Sequence, residues 1–185
     1  MRLRGKTPSV VLGVAPGLTS ASFAVLAFSA NNAPQVLDYD VLIGTRPSQL
    51  AKLGIPALEL LSNITELAKR FKVHRLVIEV IVERHTPCLI ALAPAARSKE
   101  PSAHVAGARM AVRSMAALFD LPVFDVTKEK INRVFQGEKL LTAVQRRLYV
   151  PIGSSDRRVM LAAGAALVAA TIASPRYSLP LHSVA

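Results

Sequence analysis

The chain has 185 residues, 51% of them hydrophobic, enough to enclose one sizeable core without covalent staples. A single cysteine, Cys88, beside only four histidines excludes an intrachain disulfide and a Cys/His zinc cluster. It points to the cytoplasm or another reducing compartment that contains nucleic acid. Lysine and arginine number 23 against 12 acids, a net charge of +11, which suits a phosphate-rich partner.

Two stretches imitate membrane signals. The basic start, Met1-Arg-Leu-Arg-Gly-Lys6, leads into an apolar run, but Pro16 with its flanking glycines interrupts it, and Thr19, Ser20 and Ser22 break it again. The uncharged run 159–173 falls short of the roughly 20 residues a helix needs to span a bilayer. Both read as core, so no membrane partner is expected. The organisation expected is a basic arm over 1–8, one domain over 9–174 and a tail over 175–185.

Along the chain, Ser9 to Val14 is a short apolar run ended by Pro16-Gly17, the pattern of a central buried strand. Ser20 to Phe28 alternates like a second strand. Asn31 to Pro34 reads as a turn, and Val36 to Ile43 as a third strand, giving an antiparallel meander. Residues 44–56 read as loop. From Ala57 the period lengthens, with Leu60, Ile64, Leu67 and Phe71 marking an amphipathic helix. The β-branched run Arg75 to Val82 predicts a buried strand carrying Glu79, and Thr86 to Glu100, with Pro87 and Pro94, predicts a loop. Ala103 to Phe119 predicts a helix with Arg109 and Arg113 facing solvent, followed by a short strand over Leu121 to Val126. Thr127 is a good N-cap for a basic helix through Phe135 that Gly137 ends. Glu138 to Tyr149 restarts helical, and Ser155 or Asp156 caps a long alanine-rich helix. The order describes an α/β mixed sheet, the meander plus parallel strands, flanked by helices.

Four stretches in this order carry a resemblance to the RuvC-like Holliday-junction resolvases, a branch of the RNase H-like nucleases. They are Leu12-Gly-Val-Ala-Pro-Gly-Leu-Thr19, where the family reads G-I-D-P-G, and Leu76-Val-Ile-Glu79. Ala106-Gly-Ala-Arg109 follows, with Leu121-Pro-Val-Phe124 and the basic stretch through Lys139, and then Ser155-Asp156 at the last helix. The resemblance covers residues 9 to 174 and implies an RNase H-like fold. In that family, carboxylates from the first strand, the acid strand and the last helix hold magnesium or manganese against a DNA phosphate. Such chemistry needs clustered oxygen donors, because hard cations take oxygen ligands and two metals serve the attacking and leaving oxygens.

Carried over, Glu79 and Asp156 keep acids and are the candidate metal ligands, for magnesium or manganese if any metal is used. Ala15 leaves the first-strand position vacant, and Val159 the second acid position on the last helix. If Asp156 is instead the second of that pair, Gly153 takes the first place and no acid stands there either. The family's stacking aromatic corresponds to Val82. The resemblance therefore implies a pseudo-resolvase that requires no metal cofactor, acts as a homodimer, and binds branched or four-way DNA ahead of RNA without efficient cleavage. An active or deliberately inactivated metal-dependent junction endonuclease and a scaffold subunit of a nucleoprotein complex are the alternatives.

Basic residues are plentiful where acids are missing: Lys128, Lys130, Arg133, Lys139, Arg146, Arg147, Arg157 and Arg158 face only Glu129, Glu138 and Asp156 over this stretch. They are the candidate nucleic-acid contacts, with Lys130 and Lys139 close to the family's backbone-binding lysines by resemblance. Glu83 and His85 could serve as replacement ligands or a general base but read rather as surface residues of a loop, and Asp38 and Asp40 as the solvent face of an edge strand. His74 and His104 have no partner at metal-ligand spacing, and Ser154 and Ser155 have no histidine for a triad.

Overall fold

The computed structural model describes residues 10–17, 20–29, 32–43, 75, 78–94, 103–148 and 157–173. Its sheet has five strands in the order β3-β2-β1-β4-β5. These are β1 (Val10–Pro16), β2 (Ser20–Ser29), β3 (Asn32–Ile43), β4 (Leu89–Leu92) and β5 (Val123–Asp125). The first three form the antiparallel meander, while β4 runs parallel to β1 and β5 parallel to β4. The helices among the described residues are α1 (78–85), α2 (Ala103–Leu118), α3 (Lys128–Phe135), α4 (Leu140–Leu148) and α5 (Arg157–Ala173). This is an RNase H-like mixed sheet with helices on both faces. The expected helix over 57–71 lies outside the described residues.

Alternation along β1 sorts the core into two layers, because successive strand side chains point to opposite faces. Leu12 and Val14 join Ile90, Leu92 and the buried residues of α1 and α2 on one face. Val11 and Ala15 join Leu89, Ala91, Ala93 and most of α5 from Val159 to Ala170 on the other. Between Val159 and Ala170 helix α5 is apolar nearly all round, as an enclosed stretch of helix must be, and its alanines bring its backbone close to the sheet. Gly13 is the sharpest sign of that approach: a Cβ there would stand 2.0 Å from the carbonyl oxygen of Ala162. Its role is this contact in mid-strand, paired with Ala24 and Ala91, and not the turn that follows.

Two sequence expectations are corrected between 75 and 100. The run expected as a strand is helical over 78–85, with Ile78, Ile81 and Val82 buried and Glu83 and Arg84 exposed. That spacing of three and four residues fits a helix face, and packing has overruled β-branched propensity. Thr86, at φ 45°, closes this helix, its N–H donating to the carbonyl of Val82 at 2.8 Å. The parallel strand instead comes from Leu89-Ile-Ala-Leu92, inside the segment expected as loop. All four residues are buried, as a central parallel strand covered on both faces requires.

The edge strand β3 is also turned over relative to expectation. Leu37 and Tyr39 are exposed, whereas Asp38 and Asp40 are partly buried. Asp38 accepts a contact from His85 Nε2 at 3.1 Å and lies 3.5 Å from Arg84, and Asp40 accepts the N–H of Val41 at 2.6 Å. Glu83 and His85 accordingly belong to α1 and not to a loop.

Candidate nucleic-acid interface

The candidate site lies at the carboxyl ends of β1, β4 and β5, where open α/β sheets present their ligand crevices. β1 is the switch point, antiparallel to β2 on one side and parallel to β4 on the other. Val14 pairs with Leu92, and the next N–H, of Ala93, donates to the carbonyl of Val14 at 2.8 Å. Ala93 is thereby set beside Ala15. Both side chains belong to one apolar cluster with Val126, Ile131, Val159 and Met160.

Val159 enters from the first turn of α5 and is 1% exposed. Across β1 from Ala15, its β2 partner Ser22 contributes a buried hydroxyl that has no hydrogen-bond partner among the described residues. Apart from that hydroxyl, the described side chains gathered where the ends of β1 and β4 meet the last helix are apolar.

Glu79 is not part of this convergence. It sits in α1, whose buried side chains pack on the face of the sheet opposite α5, so the expected neighbouring strands for Ala15 and Glu79 are corrected. Val82 is likewise buried in α1. Asp156 lies outside the described residues, as do Ser154 and Ser155. Among the described residues, no three His, Cys, Asp or Glu side chains gather as a metal site. A hard divalent cation takes six or more oxygen ligands, and Ala15, Ala93 and Val159 have none to offer. These residues do not fit a two-metal centre.

The cations are arranged differently from the acids. Helix α3 begins as expected at Thr127, whose Oγ1 accepts the N–H of Lys130 at 3.4 Å, and ends on Gln136 in the left-handed region, followed by Gly137 at φ 83°. The Thr127 hydroxyl, foremost, holds the Glu129 carboxyl below its ordinary range, and the neighbouring Lys128 adds to the effect. Lys128, Arg133, Lys139, Arg146, Arg157 and Arg158 are exposed. Arg146 reaches Glu138 at 2.8 Å.

Arg147 is the exception in the expected set of contacts. It is 8% exposed, lies 4.5 Å from the centre of the Phe135 ring and 3.9 Å from Glu138. Burial, the largest influence, lowers its pKa, while Glu138 opposes the shift. It therefore braces the α3–α4 hairpin and does not face a ligand.

A second group of cations was not assembled by sequence reasoning. Arg109 donates from Nη1 to the carbonyl of Ala93 at 2.7 Å and from Nη2 to Asp125 Oδ1 at 2.6 Å. Arg113 pairs with the other oxygen of the same carboxylate. Lys130 donates to the main-chain carbonyl of Asp125 at 2.6 Å and stands 4.2 Å from the centre of the Phe124 ring. The available signal was the spacing of Arg109 and Arg113, four residues apart and hence on one helix face. What the sequence could not supply was Asp125 as their common partner.

The sequence matches no family profile and no curated protein. Solved structures do match. RuvC of Thermus thermophilus in complex with Holliday junction substrate superposes with a TM-score of 0.68 at 19% identity, over 88% of this chain and 94% of that one. Another Thermus thermophilus RuvC structure gives 0.69 at 18%, over 88% and 95%. The yeast mitochondrial Holliday junction resolvase gives 0.59 at 12%, over 92% and 80%. With its five-stranded mixed sheet, its buried last helix and this similarity over most of its length, the chain has the fold of the RuvC-like resolvases.

Proposed function

We propose that this protein is a RuvC-like pseudo-resolvase that binds branched or structured nucleic acid, four-way DNA junctions ahead of RNA, without cutting it efficiently. One observation carries the reading. At the carboxyl ends of β1 and β4 the sheet presents Ala15 and Ala93, covered by Val159, where the RuvC-like resemblance calls for clustered acids, while the neighbouring α3–α4 region keeps its exposed cations. A methyl-lined site cannot position metals for an in-line displacement, but exposed lysines and arginines can still neutralise phosphates and release condensed counterions. The similarity to a RuvC solved with junction DNA supports the choice of ligand. We also assign the protein as a homodimer, a state that the exposed apolar Met110 and Leu118 of α2 support.

Gel-shift titrations of four-way, duplex and single-stranded DNA at two salt concentrations, with cleavage followed in magnesium and manganese, test the reading. The expected result is salt-sensitive binding that favours the four-way junction, with the strands left intact. Robust metal-dependent cutting would overturn it, and absent or salt-insensitive binding would favour a scaffold role. Sedimentation equilibrium checks the dimer.

A further inference from the structure

We propose that Arg109, Arg113 and Lys130, gathered on Asp125 at the carboxyl ends of β4 and β5, form a clamp that takes a phosphodiester group without a metal ion. The inference rests on the nucleic-acid-binding reading and names the group of that site that meets the phosphate. Two arginines share the one carboxylate of Asp125 and Lys130 is bonded to the main-chain carbonyl of the same residue, leaving two positive charges uncompensated within the group. Tying Ala93 to Asp125 needs Arg109 alone. Arg113 and Lys130 add charge that this tie does not use, and crowded like charges are unfavourable unless an anion completes them.

The geometry supplies donors as well as charge. A guanidinium has five N–H donors and an ammonium three, and the bonds to Ala93 and Asp125 engage only some of them. Ala93 and Asp125 together fix the Arg109 guanidinium plane and Asp125 tethers Arg113 through one contact, so less side-chain freedom is lost when an oxyanion arrives, a condition that favours strong Arg–phosphate contacts. Access is open: the Arg113 side chain is 45% exposed and that of Asp125 37%. The arginines come from α2, on one face of the sheet, and Lys130 from α3, which packs on the other. A phosphate at the end of β5 would therefore be approached from two sides. Through Arg109 the group touches Ala93, next to Ala15, so that fixed cations stand beside the position where metals would otherwise neutralise the phosphate.

The test uses the full-length protein and a fluorescein-labelled four-way junction, with anisotropy titrations over about 50 to 200 mM salt in EDTA and in magnesium. Wild type should bind in EDTA at least as tightly as in magnesium, which competes for the phosphates. Arg113→Gln should weaken binding about tenfold at the lowest salt and reduce the slope of log K against log salt by about one. Arg113→Lys should keep the slope while losing part of the affinity. Lys130→Gln provides a second variant, and circular dichroism melts confirm that each is folded. Pyrophosphate is the competitor that separates a strand phosphate from a free one. A clamp for the strand resists stoichiometric pyrophosphate, whereas displacement at that level, lost in Arg113→Gln, would assign the same chemistry to a free phosphate. Unchanged affinity and slope in both Gln variants, or binding that disappears in EDTA, would refute the clamp while leaving nucleic-acid binding in place. No binding by wild type would remove both.

Discussion

Gly13→Ala is the sharpest probe of how closely α5 lies against the sheet. The added Cβ would meet the Ala162 carbonyl oxygen at 2.0 Å and its carbon at 2.8 Å. Both are helix backbone and cannot rotate away, so strand and helix must separate by about 1 Å to restore van der Waals contact. A gap of that size forfeits roughly a quarter to a half of the dispersion attraction of the atoms lining it, and overpacking of this kind costs about 1–3 kcal/mol. Replacing a strand glycine with alanine returns roughly 0.5–1 kcal/mol of backbone entropy. Because the obstacle is main chain, the upper end applies, leaving a net loss of about 2 kcal/mol. With a urea m-value of about 2 kcal/mol/M, the midpoint should fall by about 1 M. The chain has no tryptophan, so far-UV circular dichroism is the suitable signal. Gly164→Ala is the control: its nearest obstacle is Leu140 Cδ1 at 2.6 Å, a side-chain end that can move, and alanine gains about 1 kcal/mol of helix propensity. A Gly13→Ala midpoint no lower than that of Gly164→Ala would refute the close-approach argument.

Ala15→Asp alone should leave junction cleavage at background in manganese, and adding Val159→Asp should not rescue it while Ala93 remains; recovery by the first change alone would show that acids outside the apolar cluster complete the site. Arg147→Met should change stability by less than about 1 kcal/mol, because it removes a desolvated cation whose Nη1 has only a long 3.9 Å ion pair to Glu138 and no hydrogen bond among the described residues, and it leaves Arg146 on Glu138. Glu138→Gln should cost more, about 1–2 kcal/mol after allowing for its partial exposure, and the opposite ranking of urea midpoints would contradict this account of the hairpin. Thr127→Ala should destabilise by about 1 kcal/mol through loss of the α3 cap. The lowered pKa of Glu129 contributes stability that is full above the unfolded carboxyl pKa and is lost as pH falls through the folded one. Glu129→Gln should therefore show a smaller drop in urea midpoint than wild type between about pH 7 and pH 3, and equal drops would assign the acid sensitivity to other carboxyls.

The meander, α2 and the capped α3 were legible because each is specified locally. Alternation marks β2, and Thr127 with Gly137 brackets a helix whose ends the structure reproduces within a residue or two. The segment from 75 to 94 was not legible, for a reason that is tertiary. Val-Ile-Glu-Val-Ile-Val is a strand by side-chain preference, but one side of it can be buried against Leu12, Val14 and Leu92 only if the chain is helical there. Leu89-Ile-Ala-Leu92 is too short to display a period. Its two flanking prolines, Pro87 and Pro94, read as loop, although they stand just outside the strand, where no ladder hydrogen bond is interrupted.

That one exchange of elements also governs how much of the site could be seen. The vacancy at Ala15 was visible because it sits in a recognisable Gly-Val-Ala-Pro-Gly stretch. Glu79 then looked like its surviving partner only while residues 75–82 were taken as the adjacent strand. With β4 drawn from Leu89 to Leu92, the neighbour of Ala15 is Ala93, and these two positions at the ends of β1 and β4 carry no carboxylate. The consequence reaches beyond a missing ligand. Carboxylates at these positions would need metal ions or polar partners to offset their desolvation, whereas two alanines let α5 and Val159 close directly over the strand ends. On the proposed reading, neutralisation of a phosphate then falls to groups that can remain charged without a metal. Arg109 already bonds Ala93 and Asp125, Arg113 shares the Asp125 carboxylate, and Lys130 reaches the main-chain carbonyl of Asp125 from the other side of the sheet.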